Sequence, residues 1–152
     1  MKNMCIMLIS GMVGALGFAI LFHVRPKRLA VTVLGAGLSL LIYLLFDFLG
    51  IFAANLLAAF CMTLYCEGVA RRIKTPAITL LTPAIVVLVP GGMLYDTFSH
   101  VLSEEYALAG QYAVKTGTCC LGITAGILLA AVVVRFAVAL AEKSFRKNRV
   151  KR

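Results

Sequence analysis

The stretch Met4-Cys5-Ile6-Met7-Leu8-Ile9-Ser10-Gly11-Met12-Val13-Gly14-Ala15-Leu16-Gly17-Phe18-Ala19-Ile20-Leu21-Phe22, closed by His23-Val24-Arg25-Pro26-Lys27-Arg28, decides the fold. Its nineteen uncharged residues match the roughly 20 that a helix needs to cross a bilayer. The same grammar then repeats. A second apolar run from Leu29 to Phe46 meets Asp47, and a third, from Phe48 or Gly50 to Cys66, ends in Glu67-Gly68-Val69-Ala70-Arg71-Arg72-Ile73-Lys74. A fourth runs from Pro76 to Tyr95 and is followed by a polar segment, Asp96 to Gln111, with His100, Glu104 and Glu105. The last starts near Tyr112 or Lys115, continues to Leu140, and gives way to a basic tail.

Composition agrees with a lipid solvent. Of 152 residues, 62% are hydrophobic and 14% charged, and the mean hydropathy is +0.99. A water-soluble domain covers its surface with about 25% charged residues, so a soluble enzyme is excluded. Intrinsic disorder and a disulfide-built secreted scaffold are excluded too, because the chain is so apolar and its five cysteines lie mostly in apolar runs. Those cysteines form no C-x-x-C and no Cys/His cluster of zinc spacing, so they read as small apolar fillers. No metal and no cofactor is expected.

The net charge of +9 would suggest nucleic acid in a soluble protein. Here its placement matters more. Arg25, Lys27 and Arg28, then Arg71, Arg72 and Lys74, then Lys143, Arg146, Lys147, Arg149, Lys151 and Arg152 put twelve of the fifteen basic residues on one side. Asp47, Asp96, Glu104 and Glu105 fall on the other. Because Lys and Arg mark cytoplasmic loops, the sequence predicts an all-α polytopic membrane protein of five transmembrane helices. The N-terminus is outside and the C-terminus cytoplasmic. Residues 1–141 form the membrane domain and 142–152 a basic cytoplasmic tail. A cleaved signal peptide is the competing reading of the first run, but that run is long and no A-x-A-like site closes it.

Within the spans, the fourth is the most unusual. Pro83 and Pro90 each remove a backbone donor, and Gly91-Gly92 follows with no side chains, so this helix is expected to be broken from Pro83 to Gly92. Broken helices in membranes are tolerated where they line a cavity, and transporters use them to present bare backbone to substrates. The predicted substrate pathway takes in Thr79, Thr82, Pro83, Pro90, Gly91, Gly92 and Tyr95, with Asn55 the costliest polar side chain to bury. The alternative is a packing kink or a plain helix end. His23 and Asp96 are proton-linked candidates, against ordinary interface and loop roles. Arg135 reads as a snorkelling side chain near the cytoplasmic end. Small-residue stripes, Gly11, Gly14 and Gly17 on the first helix and Thr118, Gly122 and Gly126 on the last, predict close helix packing within the chain or with a partner.

Three segments carry a resemblance: Gly17 to Val24 with its basic turn, Glu67-Gly68-Val69-Ala70-Arg71-Arg72-Ile73-Lys74-Thr75-Pro76-Ala77, and above all Leu88-Val89-Pro90-Gly91-Gly92-Met93-Leu94-Tyr95. Together they resemble the threonine/serine exporter family, in particular its small YjjB-like subunit, which corresponds to the C-terminal five-span half of the full-length exporter. One departure is His23, where such proteins often carry Asn. The resemblance implies an inner-membrane exporter of small amino acids or dicarboxylates, driven by the proton-motive force, whose partner is a larger five-span subunit. Odd span parity supports this: two such units joined in one chain would be oppositely oriented, a recurrent transporter plan. The competing reading is a non-transporting adaptor or assembly protein. An intramembrane enzyme is disfavoured, since no Ser/His or Asp/Asp pair sits at matching depth.

Overall fold

The computed structural model describes the backbone of residues 2–150 and the side chains of residues 4–140. The charged side chains of the tail, from Glu142 to Arg152, lie outside the described residues. All regular structure among the described residues is helical. Helix α1 spans Lys2–Leu21, α2 Pro26–Phe46, α3 Ile51–Arg72, α4 Ile78–Ile85, α5 Gly91–Leu102 and α6 Tyr106–Val150; short 3₁₀ turns cover Asp47–Leu49 and Val86–Leu88. Segments within α1, α2, α3 and α6 are each long and apolar enough to cross a membrane. The pair Ile78–Leu88 and Gly91–Leu102, bent by 47°, supplies a fifth crossing when taken as one span.

The helix ends follow from local chemistry. Pro26 opens α2 where its missing N–H would be unpaired anyway. After α1, the amide of Val24 donates to Ala19 and that of His23 to Ile20, both at 2.9 Å, with His23 at φ 54°. This is a Schellman closure with a left-handed residue just past the helix. Glu104 (φ 61°) closes α5 the same way, and Lys74 (φ 50°) follows α3 with Thr75 donating to Ala70. Gly50 enters α3 at φ 93°, a region open to glycine.

Two expectations are corrected. Asp96 to Gln111 is not an extended polar loop: α5 runs to Leu102, and α6 begins at Tyr106 rather than near Tyr112. The polar residues there lie at helical spacing, and the chain needs only residues 103–105 to reverse. The break in the fourth span is narrower than Pro83 to Gly92. Pro83 lies inside α4, while Gly91 and Gly92 form the first turn of α5. The apolar span ends at Leu140 as expected, while helix α6 itself continues to Val150, about 68 Å at 1.5 Å per residue.

Helix α3 is the centre of the bundle, packed by α2 on one side, α6 on another and α4 on a third. The core is built from small side chains, Ala15, Ala36, Ala58, Ala59, Ala70 and Ala84 with Met62, Cys66, Leu80 and Ile123. Large apolar side chains such as Ile9, Leu34, Leu121 and Phe136 point outward. That inversion suits a protein whose solvent is as apolar as its core, where close backbone approach holds helices together. The tightest approach is α3 against α6: a Cβ built on Gly122 would lie 2.6 Å from the Phe52 carbonyl, and one on Gly126 would collide with that of Leu56. Gly35 makes room for the Tyr65 ring, whose hydroxyl donates to the Val31 carbonyl at 3.1 Å and ties α3 to α2.

Candidate functional site

The break between α4 and α5 is two residues long. Val89 is extended (ψ 126°), the conformation a following proline favours. Pro90 (φ −78°, ψ 57°) forms an inverse γ-turn in which the Gly91 amide donates to the Val89 carbonyl at 2.8 Å. The Leu88 carbonyl accepts the Cys119 thiol of α6 at 3.8 Å instead of closing a helical turn. The first turn of α5 has no side-chain cap, so its start presents backbone N–H groups and positive partial charge.

Beside this break lies a partly enclosed cavity of about 170 Å³, lined by Asn55, Tyr43, Cys119, Pro90 and Met93, with Met7, Leu40 and residues 87–89 completing the wall. Asn55 is 2% exposed; its amide nitrogen donates one N–H to the Ile51 carbonyl at 2.7 Å, within α3, which leaves its second N–H and its carbonyl oxygen. Met7, Tyr43, Asn55 and Cys119 each sit four or five residues from Lys2, Asp47, Gly50 and Lys115 respectively. The cavity therefore lies about 6–8 Å from that end of the bundle, well off its midpoint.

Of the residues singled out in the sequence, the structure brings Asn55 and Pro90 together in this cavity. Gly91 and Gly92 adjoin it, exposed and with open space around them. Pro83 is buried in α4, and Thr82 donates to its own helix at Ile78, 2.8 Å away. Thr79 is half-buried on the same helix, and Tyr95 is 73% exposed on α5; neither lines the cavity. Asp96 is half-buried on α5, while exposed His23 caps α1. Gly11 faces Leu40 and Val87 closely, whereas Gly14 and Gly17 meet no neighbour within 4 Å. Thr118 donates to the Val114 carbonyl of its own helix. Gly11 and Gly14 border a second, shallower hollow of about 330 Å³ with almost wholly apolar walls.

Tyr43, Cys119 and Met93 were missed. Tyr43 carried a usable signal, as the lone tyrosine of the second run, one turn before Asp47. Cys119 carried none, because only the three-dimensional approach of α6 to Leu88 gives its thiol a partner. Among the described residues no cluster of His, Cys, Asp or Glu is arranged to hold a metal ion.

Comparison with curated proteins and with solved structures gives no match. The family model described as "Threonine/Serine exporter, ThrE" matches residues 7–133, which takes in most of α1, all of α2 through α5, the cavity and most of the apolar part of α6. With most of its length matched and several helices able to cross a membrane, this multi-pass chain belongs to the threonine/serine exporter family.

Proposed function

We propose that the chain is the small five-span subunit of an inner-membrane exporter of threonine, serine or similarly small amino acids, working with a larger five-span subunit and driven by the proton-motive force. In this reading the bent α4–α5 pair is one span, the N-terminus is outside, and the basic ends of the helices are cytoplasmic. The observation that carries it is the cavity at the helix break. Its volume of about 170 Å³ suits a small amino acid, whereas drug-sized ligands occupy ~300–1,000 Å³. The start of α5 offers uncapped N–H groups to a carboxylate. Asn55 and Tyr43 are the polar residues that line the cavity on the facing helices. Most of the wall is apolar, which fits a passage that must release what it binds.

Efflux of preloaded threonine and serine from cells carrying both subunits tests this. Asn55→Leu keeps the volume and removes the amide; efflux is expected to fall tenfold or more at unchanged membrane level. Undiminished efflux in that variant would remove the cavity from the pathway. Efflux of every small amino acid unchanged by deleting the chain would reject the exporter reading itself.

A further inference from the structure

The stripe by which α6 meets α3 changes in size along its length. Gly122 and Gly126 let the two backbones touch, a fully buried Ala130 follows one turn on, and then come Val134 and Val138. Gly122 faces the stretch from Phe52 to Leu56 and Gly126 the stretch from Leu56 to Phe60, so the helices run parallel and in step. Where the valines arrive the helices part, since a branched side chain holds backbones farther apart than glycine does. Helix α3 offers little to fill the gap, because one of its residues at that level is Gly68, with open space around it. The result is a groove of about 280 Å³ walled by Leu64, Gly68, Val134, Ala137 and Val138, with Glu67 and Arg71 on its α3 edge. The uncharged run of α3 ends at Cys66, so the groove starts among apolar residues and finishes among charged ones. Arg72 follows Arg71, and an exposed Arg135 adjoins Val134 on α6. Glu67 Oε2 is 3.7 Å from Arg71 Nη2. That distance steadies the guanidinium but is too long for a hydrogen bond, so the N–H donors of this half-exposed side chain stay available to an acceptor.

We propose that this groove holds one acidic phospholipid of the surrounding membrane, with an acyl chain along Leu64, Val134 and Val138 and the headgroup phosphate accepting hydrogen bonds from Arg71. Charge and polarity both match that occupant. An apolar slot leads to a guanidinium at its edge, and basic pockets between membrane helices are where acidic headgroups bind. Arginine presents paired donors to phosphate oxygens, which a neutral helix or a second apolar surface would leave without a partner. Arg72 and Arg135 add positive potential close by. The Glu67 carboxylate repels the phosphate and weakens the site. The site goes beyond the exporter reading and does not depend on it, nor on which side of the membrane the groove faces.

The full chain in mild detergent is equilibrated with an equimolar mixture of phosphatidylglycerol and phosphatidylcholine bearing the same acyl chains, and native mass spectrometry counts the lipid each molecule keeps. One phosphatidylglycerol is expected to be retained in preference to phosphatidylcholine. Arg71→Gln is expected to lower that preference about fivefold, the worth of one basic residue near a membrane surface, and Glu67→Gln to raise it. Gly68→Leu fills the groove without altering charge and favours the helix; it is expected to abolish the preference at an undiminished melting midpoint. Arg28→Gln removes an equal charge at the same end of the bundle, where the Tyr65 to Val31 bond sets the start of α2 beside the last turns of α3. Because Arg28 is outside the groove, that variant should keep the preference. A preference that survives Gly68→Leu, or falls as far in Arg28→Gln as in Arg71→Gln, means diffuse attraction to a basic face and overturns the site. Equal retention of the two lipids, or displacement by soluble glycerol phosphate with no acyl chain, overturns it too. So does a dimer that Gly68→Leu abolishes, which would make a second copy of the chain the occupant.

Discussion

At the scale of single residues, His23 has a physical reason in the backbone it occupies. The position just past α1 requires a left-handed backbone, and His23 adopts φ 54° there. Asn and His enter that region more readily than most residues, so an Asn here would satisfy the same demand as the His. His23→Asn is expected to leave stability within ~0.5 kcal/mol, while His23→Val costs about 1–2 kcal/mol, the penalty of a left-handed conformation for an ordinary side chain. Thermal unfolding in detergent measures both. Equal losses in the two variants would show that the imidazole, not the backbone angle, is what matters. Asn55 was legible for a related reason, since a buried amide in an apolar run needs an explanation from sequence alone. Its neighbours in the cavity were not. Tyr43, Cys119 and Met93 are ordinary membrane-helix residues, and they become a site only because α2, α6 and α5 converge on the Pro90 turn.

At the scale of elements, the sequence showed where helices stop better than where they bend. The basic turns at Arg25 to Arg28 and Arg71 to Lys74 mark real ends, because charge is excluded from the apolar slab. Two prolines in the fourth run could not be ranked by composition. Pro90 breaks the chain because Val89 before it goes extended, whereas Pro83 is absorbed within α4, where the run Ile78–Ile85 stays helical around it. Helix α5 was missed because its polar residues suggested a loop, yet they lie at helical spacing and recur on the flank toward α6. The glycine pair of α6 permits a sharper expectation. A side chain at Gly126 meets the Leu56 carbonyl and, at 3.0 Å, both the Ala59 Cβ and the Phe60 nitrogen, all on α3 and largely backbone. Gly126→Val is therefore expected to cost about 1–3 kcal/mol by forcing the helices apart. Gly117→Val, on the same helix with open space around it, is the control and should lose nothing, because valine is no worse a helix former than glycine. Melting midpoints compare the two; an equally small change at Gly126 would mean α3 and α6 do not approach this closely in the membrane.

At the scale of the whole molecule, charge would mark depth as well as side in the proposed topology. On the continuous helix α6, Lys115 and Arg135 are twenty residues apart, about 30 Å, the thickness of a bilayer's hydrocarbon core. Arg135 then sits at one boundary, exposed and able to reach the headgroups. With Lys115 at the other boundary in that topology, residues 106–114 would project beyond it. The cavity at Pro90 falls inside the slab but toward that same end. In the proposed orientation it is the outer end, from which an exported amino acid leaves and where protons are more abundant. This arrangement makes the topology testable through the turn at residues 103–105. A reporter inserted there is expected to be active only outside the cytoplasm, while reporters at Lys74 and after Arg152 are active only inside. A cytoplasmic signal from the 103–105 turn would mean that the α4–α5 pair dips into the bilayer and returns. The chain would then have four crossings, both ends on one side, and no opposite orientation to offer a second five-span subunit.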